Sequence, residues 1–175
     1  MGLISLGLAE IQVGKIAADG GEATEYSKIG KTYQNTCKLQ QETADVTEHY
    51  EEGQAAPEVR KKKKKVPVLT FSIMDPDVTF LKEYLGGTVT GTGDDAEWSW
   101  SDTDEDIVAS VRAIPEVGLV YTIPCADIEA VLNADMSSQG INLVDFTVTP
   151  LKPAKAGVPS FKARKKTAKF PAANN

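Results

Sequence analysis

The sequence predicts a mainly β protein, a β-sandwich or β-barrel of about eight strands. One short flanking α-helix, a long inter-strand loop and extended terminal arms complete this expected fold. Short segments of alternating or β-branched residues recur with turn signals roughly every 8–12 residues, and a single helical pattern interrupts them. In a chain of 175 residues, we expect one β domain over residues 1–151 and an extended basic C-terminal arm over residues 152–175.

The strand signals differ in strength along the chain. The clearest is VPVLTFSIM, where Leu69, Phe71 and Ile73 share one face. The segment DIEAVLN, at 127–133, fits both a helical turn and a continuing strand, and we favour the strand. The predicted strands cover residues 9–13, 35–46, 66–74, 88–92, 97–101, 107–114, 118–126 and 141–151.

One helix is predicted at VTFLKEYL, residues 78–85. Asp75-Pro76-Asp77 precedes it as a stop signal and N-cap, and Gly86-Gly87 ends it. Val78, Leu81 and Leu85 would share its apolar face. A helix this short is not stable alone in water, so we expect it to pack across a sheet or a barrel mouth.

Charge is segregated along the chain. Of the 19 basic residues, six lie at 60–65 and seven after residue 151, while all 25 acids lie at or before Asp145. The remaining body has six basic residues against 25 acids, a net charge of −19. Such segregation favours docking of the basic segments on acidic surfaces of this protein or of its copies. The alternative is that the lysines only keep flexible segments soluble.

We therefore predict an assembly interface formed by the long loop, about residues 45–65, and by the tail. A loop of about 20 residues between paired strands is far longer than a hairpin needs, which is typical of a functional arm or of disorder. The predicted interface residues are Glu48, Glu51, Glu52, Arg60, Lys61, Lys62, Lys63, Lys64, Lys65, Lys162, Arg164, Lys165 and Lys166.

The sequence offers little catalytic or metal chemistry. His49 is the only histidine, so neither a histidine cluster nor a positioned Ser–His pair is expected. The acidic run at 102–106 lacks the glycine and the final glutamate of a calcium loop. The motif TVTGTG, at 88–93, has neither dinucleotide nor P-loop spacing. We expect no enzyme activity, no cofactor and no metal.

Two residue pairs are expected to be structural. Cys37 and Cys125 lie far apart without a secretory signal, which favours two buried thiols over a disulfide. Trp98 and Trp100 share one face of a predicted strand, and core packing is the expected role of both.

Nucleic acid and membrane are the other partners to weigh. Six consecutive cations could neutralise phosphates, but the acidic body repels DNA and no aromatic residue interleaves the lysines. The N-terminus lacks the positive region of a signal peptide, and no apolar run reaches membrane-spanning length. We expect a protein made in the cytoplasm with no membrane partner.

The order of the pieces resembles the tail tube (major tail) proteins of tailed bacteriophages. The similarity covers about residues 6–151. It comprises LGLAEIQVG near the start, LTFSIMDPDVTFLKEYLGGTV through the helix, and VYTIPCADIEAV followed by SSQGINLVDFTVTPL near the end. The lysine run is a departure, since the family does not require it.

The resemblance implies a structural function. In that family six copies form a ring whose inner sheets join into one continuous barrel, and the rings stack into a hollow tube. The long loop, here about residues 45–65, reaches neighbouring subunits, and terminal arms such as residues 1–8 and the tail reinforce stacking. The implied partners are copies of the chain itself, the tape-measure protein, and the tail terminator and baseplate proteins, with DNA only transiently in the lumen. The implied location is the virion tail, after synthesis in the host bacterial cytoplasm.

Two alternatives remain open at this point. The same resemblance fits the tube subunit of a contractile injection system or a type VI-like secretion system. A different class of function would be a monomeric β-barrel module that binds a small ligand or nucleic acid.

Overall fold

In a computed structural model of the chain, residues 2–167 are described and 12 strands, one α-helix and a 3₁₀ turn at Gly93–Asp95 are found among them. The strands are β1 Glu10–Gly14, β2 Ser27–Lys28, β3 Lys38–Gln40, β4 Asp45–His49, β5 Val59–Lys63, β6 Val68–Ile73, β7 Thr88–Thr90, β8 Glu97–Ser99, β9 Val108–Ile114, β10 Leu119–Ala134, β11 Asn142–Pro150 and β12 Lys162–Lys165; the helix is α1 Val78–Leu85. The mainly β fold class predicted from the sequence is confirmed.

Eight of the strands form one antiparallel sheet. Its order is β2-β1-β9-β10-β11-β6-β3, and β12 also pairs with β10. The other four strands form two separate hairpins, β4–β5 and β7–β8.

The long strand β10 joins two sections of this sheet. Its register against β9 shifts between Ile123 and Ala126, a β-bulge that bends the strand. β10 pairs with β12 before the bulge and with β11 after it, whereas its pairing with β9 spans the bulge and ends at Asp127. Residues 127–133 are therefore strand, as the sequence analysis favoured. One bent strand thus belongs to both sections of the sheet.

A short segment links β1 and β6, which lie near opposite ends of the sheet order. The Ile29 amide donates to the carbonyl of Ile11 in β1 (3.1 Å), and the Tyr33 amide donates to the carbonyl of Ser72 in β6 (2.8 Å). The sheet thus curls around one apolar core, whose fully buried side chains include Phe146, Ile11, Ile73, Ile123, Val111, Val144 and Val148.

Helix α1 covers this core as expected. The side chain of Asp77 accepts a hydrogen bond from the Phe80 amide (2.7 Å), which caps the helix N-terminus. Phe80 and Tyr84 pack against Phe146, with ring centroids 5.8 and 5.3 Å away. The contact face is therefore wider than the predicted stripe of Val78, Leu81 and Leu85, which are half-buried.

Two sequence predictions about strands were wrong. Residues 35–46 are not one strand, because β3 pairs with β6 whereas β4 starts a separate hairpin. The tail contains a strand, β12, although its sequence shows no alternation. Strand β11 pairs with β10 only from Ala126 onward, so the edge of β10 at Leu119–Thr122 is free to pair with β12. This pairing joins main chains, so it needs no alternating pattern of side chains. Met1 and residues 168–175, including Lys169 of the predicted basic arm, lie outside the described residues.

Candidate assembly interfaces

The predicted long loop is a β-hairpin, which we call the charged hairpin (residues 45–63). Asp45 pairs with Lys63, Glu48 with Arg60 and His49 with Val59. Every strand residue is exposed except Glu48, which is half-buried. The expectation of a loop was wrong because the sequence here has no alternation of apolar and polar residues. Both faces of this hairpin are exposed to solvent, so neither face requires apolar side chains.

The two strands of the charged hairpin neutralise each other only in part. Arg60 Nε lies 2.9 Å from Glu48 Oε1, and Lys65 Nζ lies 2.8 Å from Glu42 and 3.2 Å from Asp45. The hydrogen bond from Tyr50 to Glu48 raises the pKa of Tyr50, and the hydrogen bonds to Glu42 and Asp45 raise that of Lys65.

Four consecutive lysines remain exposed beside these pairs. Within residues 2–167, no ion pair is formed by Lys61, Lys62, Lys63 or Lys64, nor by Glu51 and Glu52 in the turn. The structure therefore brings most of the predicted interface residues into one projection and leaves four of its cations without a carboxylate in the described part of the chain.

The tail residues of the predicted interface lie against the body of their own chain. Lys162 contacts the Glu22 carboxylate, and Lys166 Nζ donates to the carbonyls of Pro115 and Glu116 (both 2.9 Å). Arg164 and Lys165 belong to β12, opposite Val120 and Leu119. The tail and the charged hairpin are thus separate elements.

Glu22 is the residue that holds the tail and that the sequence analysis missed. Arg112 Nη2 lies 3.1 Å from its carboxylate, and the hydroxyl of Tyr26 donates to it at 3.0 Å. Burial acts to raise the pKa of Glu22, but the hydrogen bonds from Lys162, Tyr26 and Arg112 hold it below its ordinary value. The Tyr26 ring also lies 3.8 Å from the Arg112 guanidinium. No local sequence signal connects residues this far apart.

The sheet section formed by β3, β6, β11 and the second half of β10 has an outward face that is mostly polar. Along β11, buried Val144, Phe146 and Val148 alternate with outward Asp145 and Thr147. The Asp145 carboxylate accepts hydrogen bonds from the Ser72 hydroxyl (2.6 Å) and the Asn133 amide (2.9 Å), which tie three strands together.

Both edges of this sheet section are open. Strand β9 stops pairing with β10 at Asp127, so the edge of Glu129–Ala134 opposite β11 has no partner strand within residues 2–167. The outer edge of β3 likewise has none in that range. Unpaired edges offer backbone donors and acceptors to another strand.

The tryptophans do not pack as predicted. Trp98 is half-buried and donates to the carbonyl of Gly86 (2.9 Å), whereas Trp100 is 61% exposed. Their rings meet edge to face, with centroids 5.9 Å apart. Core packing of Trp100 was wrong because β7–β8 is a two-stranded hairpin outside the main sheet.

A half-open cavity of about 720 Å³ lies between residues 5–9 and residues 28–39. Leu8, Leu39, Leu69 and Ala113 contribute its apolar lining, and Lys28 and Lys31 its charges. The volume is in the range of small-molecule sites.

Comparison of the sequence with protein-family models and with curated proteins finds no match. Within residues 2–167, no helix has both the length and the apolar character needed to cross a membrane.

Proposed function

We propose that the chain is a structural subunit of a bacteriophage tail tube. It assembles as homo-hexameric rings that stack into a hollow conduit, which encloses the tape-measure protein and passes DNA. The observation that carries the proposal is the sheet section with two open edges, at β3 and at Glu129–Ala134. The subunit performs no chemistry, and its function is geometric.

The open edges support lateral association. A strand edge left unpaired in a monomer is a site for indiscriminate aggregation, and proteins usually protect it. Here the two edges flank one sheet section, so β3 of one copy can pair with the edge of β10 in the next. Such a head-to-tail contact repeats around an axis, and it closes into a ring when the rotation permits.

The charged hairpin supports contact between copies beyond this edge pairing. An isolated two-stranded hairpin is marginally stable in water because neither face is covered. This hairpin has two open faces, and Lys61–Lys63 in it and Lys64 directly after it are exposed without an ion pair in the described residues. An acidic surface on a neighbouring copy would cover the hairpin and neutralise the lysines.

The outward sheet face has the character needed in a channel for DNA. Asp127, Glu129 and Asp145 are spaced along it among threonine and serine side chains. Like charge keeps a polyanion from binding to the wall. The tape-measure protein would meet this face before DNA does, and terminator and baseplate proteins would close the ends of the tube in the virion tail. The same properties fit the tube of a contractile injection or type VI-like secretion system.

Negative-stain electron microscopy of the purified protein tests this proposal. We expect rings or tubes with six-fold symmetry at high protein concentration. A monodisperse monomer at every concentration and salt level would refute it. Replacing Lys61–Lys65 with Glu should weaken assembly while leaving the fold intact, and normal assembly of that variant would exclude a role for the hairpin lysines.

The second candidate is a monomeric module that binds a small apolar ligand in the cavity beside Leu8, Leu39 and Leu69. The same solution measurement separates the two, because this candidate requires a monomer. The nucleic-acid alternative depends on Lys61–Lys64, and filter binding of a short DNA duplex at low salt tests it. Absence of binding under those conditions excludes it.

A further inference from the structure

We infer that the Trp98–Trp100 pair and the acidic residues around it form the surface that receives Lys61–Lys64 of a second copy. This inference rests on the proposed self-assembly and names the two surfaces that meet. We call the receiving surface the tryptophan platform. It comprises Trp98, Trp100 and the exposed acids Asp94, Asp95, Glu97, Asp102, Asp104, Glu105 and Asp106.

The exposure of Trp100 is the first observation. A tryptophan that is 61% exposed leaves a large apolar ring in water. Its only ring contact in the described chain is the perpendicular contact with Trp98. Tryptophan is among the residues most enriched where protein interfaces concentrate their binding energy. Trp98 is fixed by its hydrogen bond to Gly86, so the platform has a rigid base.

Charge around the pair is the second observation. No lysine, arginine or histidine occurs between Lys82 and Arg112, whereas eight acids do. Glu105 lies against Gly86, the glycine whose carbonyl holds Trp98, so the acidic segment and the tryptophans adjoin. None of the seven acids of the platform forms an ion pair within residues 2–167.

The occupant follows from these two properties together. An exposed tryptophan ring that adjoins an acidic segment favours a flexible ammonium group, which gains both a cation–π contact and an ion pair. Lys61–Lys64 are the one run of four such groups without an ion pair in the described chain. In the described structure the ion pairs of the charged hairpin and its base involve only Glu42, Asp45 and Glu48, so the contact with the platform is made between two copies. Different surfaces meet in this contact, so it can repeat from copy to copy around a ring or along a stack of rings.

The two tryptophans of the chain provide the readout, since both lie in the platform. We expect tryptophan emission to shift to shorter wavelength when dispersed subunits assemble. Trp100→Ala should raise the protein concentration needed for half-maximal assembly at least about tenfold, whereas Trp100→Phe, which keeps a ring, should raise it less. Circular dichroism would establish that both variants keep the fold.

Charge exchange supplies the matched controls. The triple variant Lys61→Glu, Lys62→Glu, Lys63→Glu should lose assembly, whereas Lys15→Glu, Lys28→Glu, Lys31→Glu makes the same charge change at exposed lysines elsewhere and should lose less. Adding Asp102→Lys, Asp104→Lys, Asp106→Lys to the hairpin triple returns the net charge to −6 and should restore assembly.

The outcomes separate the inference from the proposed function. If tubes form with unchanged emission and Trp100→Ala assembles like the wild type, the platform is not the receiving surface, although the tube function stands. If both lysine triples lose assembly equally and the exchange does not restore it, net charge alone is responsible and the inference is overturned. If the wild-type protein never assembles, the proposed function fails and the inference fails with it.

Discussion

Phe146 of β11 lies stacked on Phe71 of β6, with ring centroids 5.0 Å apart and planes within 4°. Phe80 and Tyr84 of α1 meet the same Phe146 ring edge-on. Phe146 is 1% exposed, so one ring joins the helix to the sheet. Phe146 therefore packs α1 against the strands β6 and β11, whose opposite side is the outward sheet face.

The first prediction concerns this ring. Phe146→Ala should lower the free energy of unfolding by about 3–5 kcal/mol, because it removes four-ring packing and leaves a cavity. Urea unfolding followed by circular dichroism measures the change. Tyr50→Ala is the control, since Tyr50 is exposed in the charged hairpin and should change stability by about 0.5 kcal/mol or less. Equal effects of the two substitutions would contradict the central role of Phe146.

The second prediction concerns pH and Glu22. The folded pKa of Glu22 lies below its ordinary value, so its interactions with Lys162 and Arg112 stabilise the fold above the unfolded pKa near 4.5. That contribution is lost as pH falls through the folded pKa. Glu22→Gln should lower stability by about 1–2 kcal/mol at neutral pH and flatten its decline in acid.

Unfolding free energies of wild type and Glu22→Gln between neutral pH and acid provide the measurement. Asp104→Asn is a control with the same chemical change at an exposed site outside the ion pairs of residues 2–167. Parallel stability curves for wild type and Glu22→Gln would exclude the linkage.

The third prediction separates folding from assembly. Asp45 and Lys63 face each other across the charged hairpin, so a two-residue Asn-Gly turn can replace residues 46–62. The hairpin contributes no buried residue, so stability should change by about 0.5 kcal/mol or less, whereas tubes should disappear in electron micrographs.

Its control shortens only the tip of the charged hairpin. Replacing residues 51–57 with Asn-Gly removes Glu51 and Glu52 but retains Arg60–Lys64. We expect this variant to assemble, because the lysines carry the contact. Tubes formed by the variant that lacks residues 46–62 would show that the hairpin is dispensable.

The fourth prediction concerns the cysteines. Both are free thiols, as the sequence analysis expected, although Cys37 is half-buried. Burial raises the pKa of Cys37 to about 11 and also raises that of Cys125. At pH 8 only about 0.1% of Cys37 is thiolate, so its reaction with a disulfide reagent such as DTNB should be slow. Both thiols should react within the mixing time in urea, and rapid reaction of one thiol in the native protein would refute its burial.

Much of the fold was predictable because local patterns record it. The alternation of Leu69, Phe71 and Ile73 marks a strand with one buried face, and all three are buried. Asp77 marks the start of α1 because its side chain caps the Phe80 amide, and Gly86 marks the end because its φ of 72° is a conformation that other residues adopt less readily. The segregation of charge along the sequence likewise marks the lysine run as unusual.

Other features depend on partners distant in sequence. The strand β12 exists because β11 leaves part of β10 unpaired, and no pattern within residues 162–165 records that vacancy. Glu22 contacts Lys162, which is 140 residues away in the sequence. This basic tail residue, predicted to lie at an interface between copies, therefore makes a contact within its own chain. Trp98 and Trp100 carried a core-like signal, yet their hairpin lies outside the sheet.

The sequence by itself determined the β class, the helix with its caps, and the position of the charged stretch, because hydrophobic period, capping and charge act within a few residues. Only the tertiary structure decided which edges stay open, that the charged stretch is a hairpin, and that Trp100 faces solvent. Those properties follow from which distant segments occupy each surface, since a strand edge or an aromatic ring is exposed only where no other part of the chain covers it.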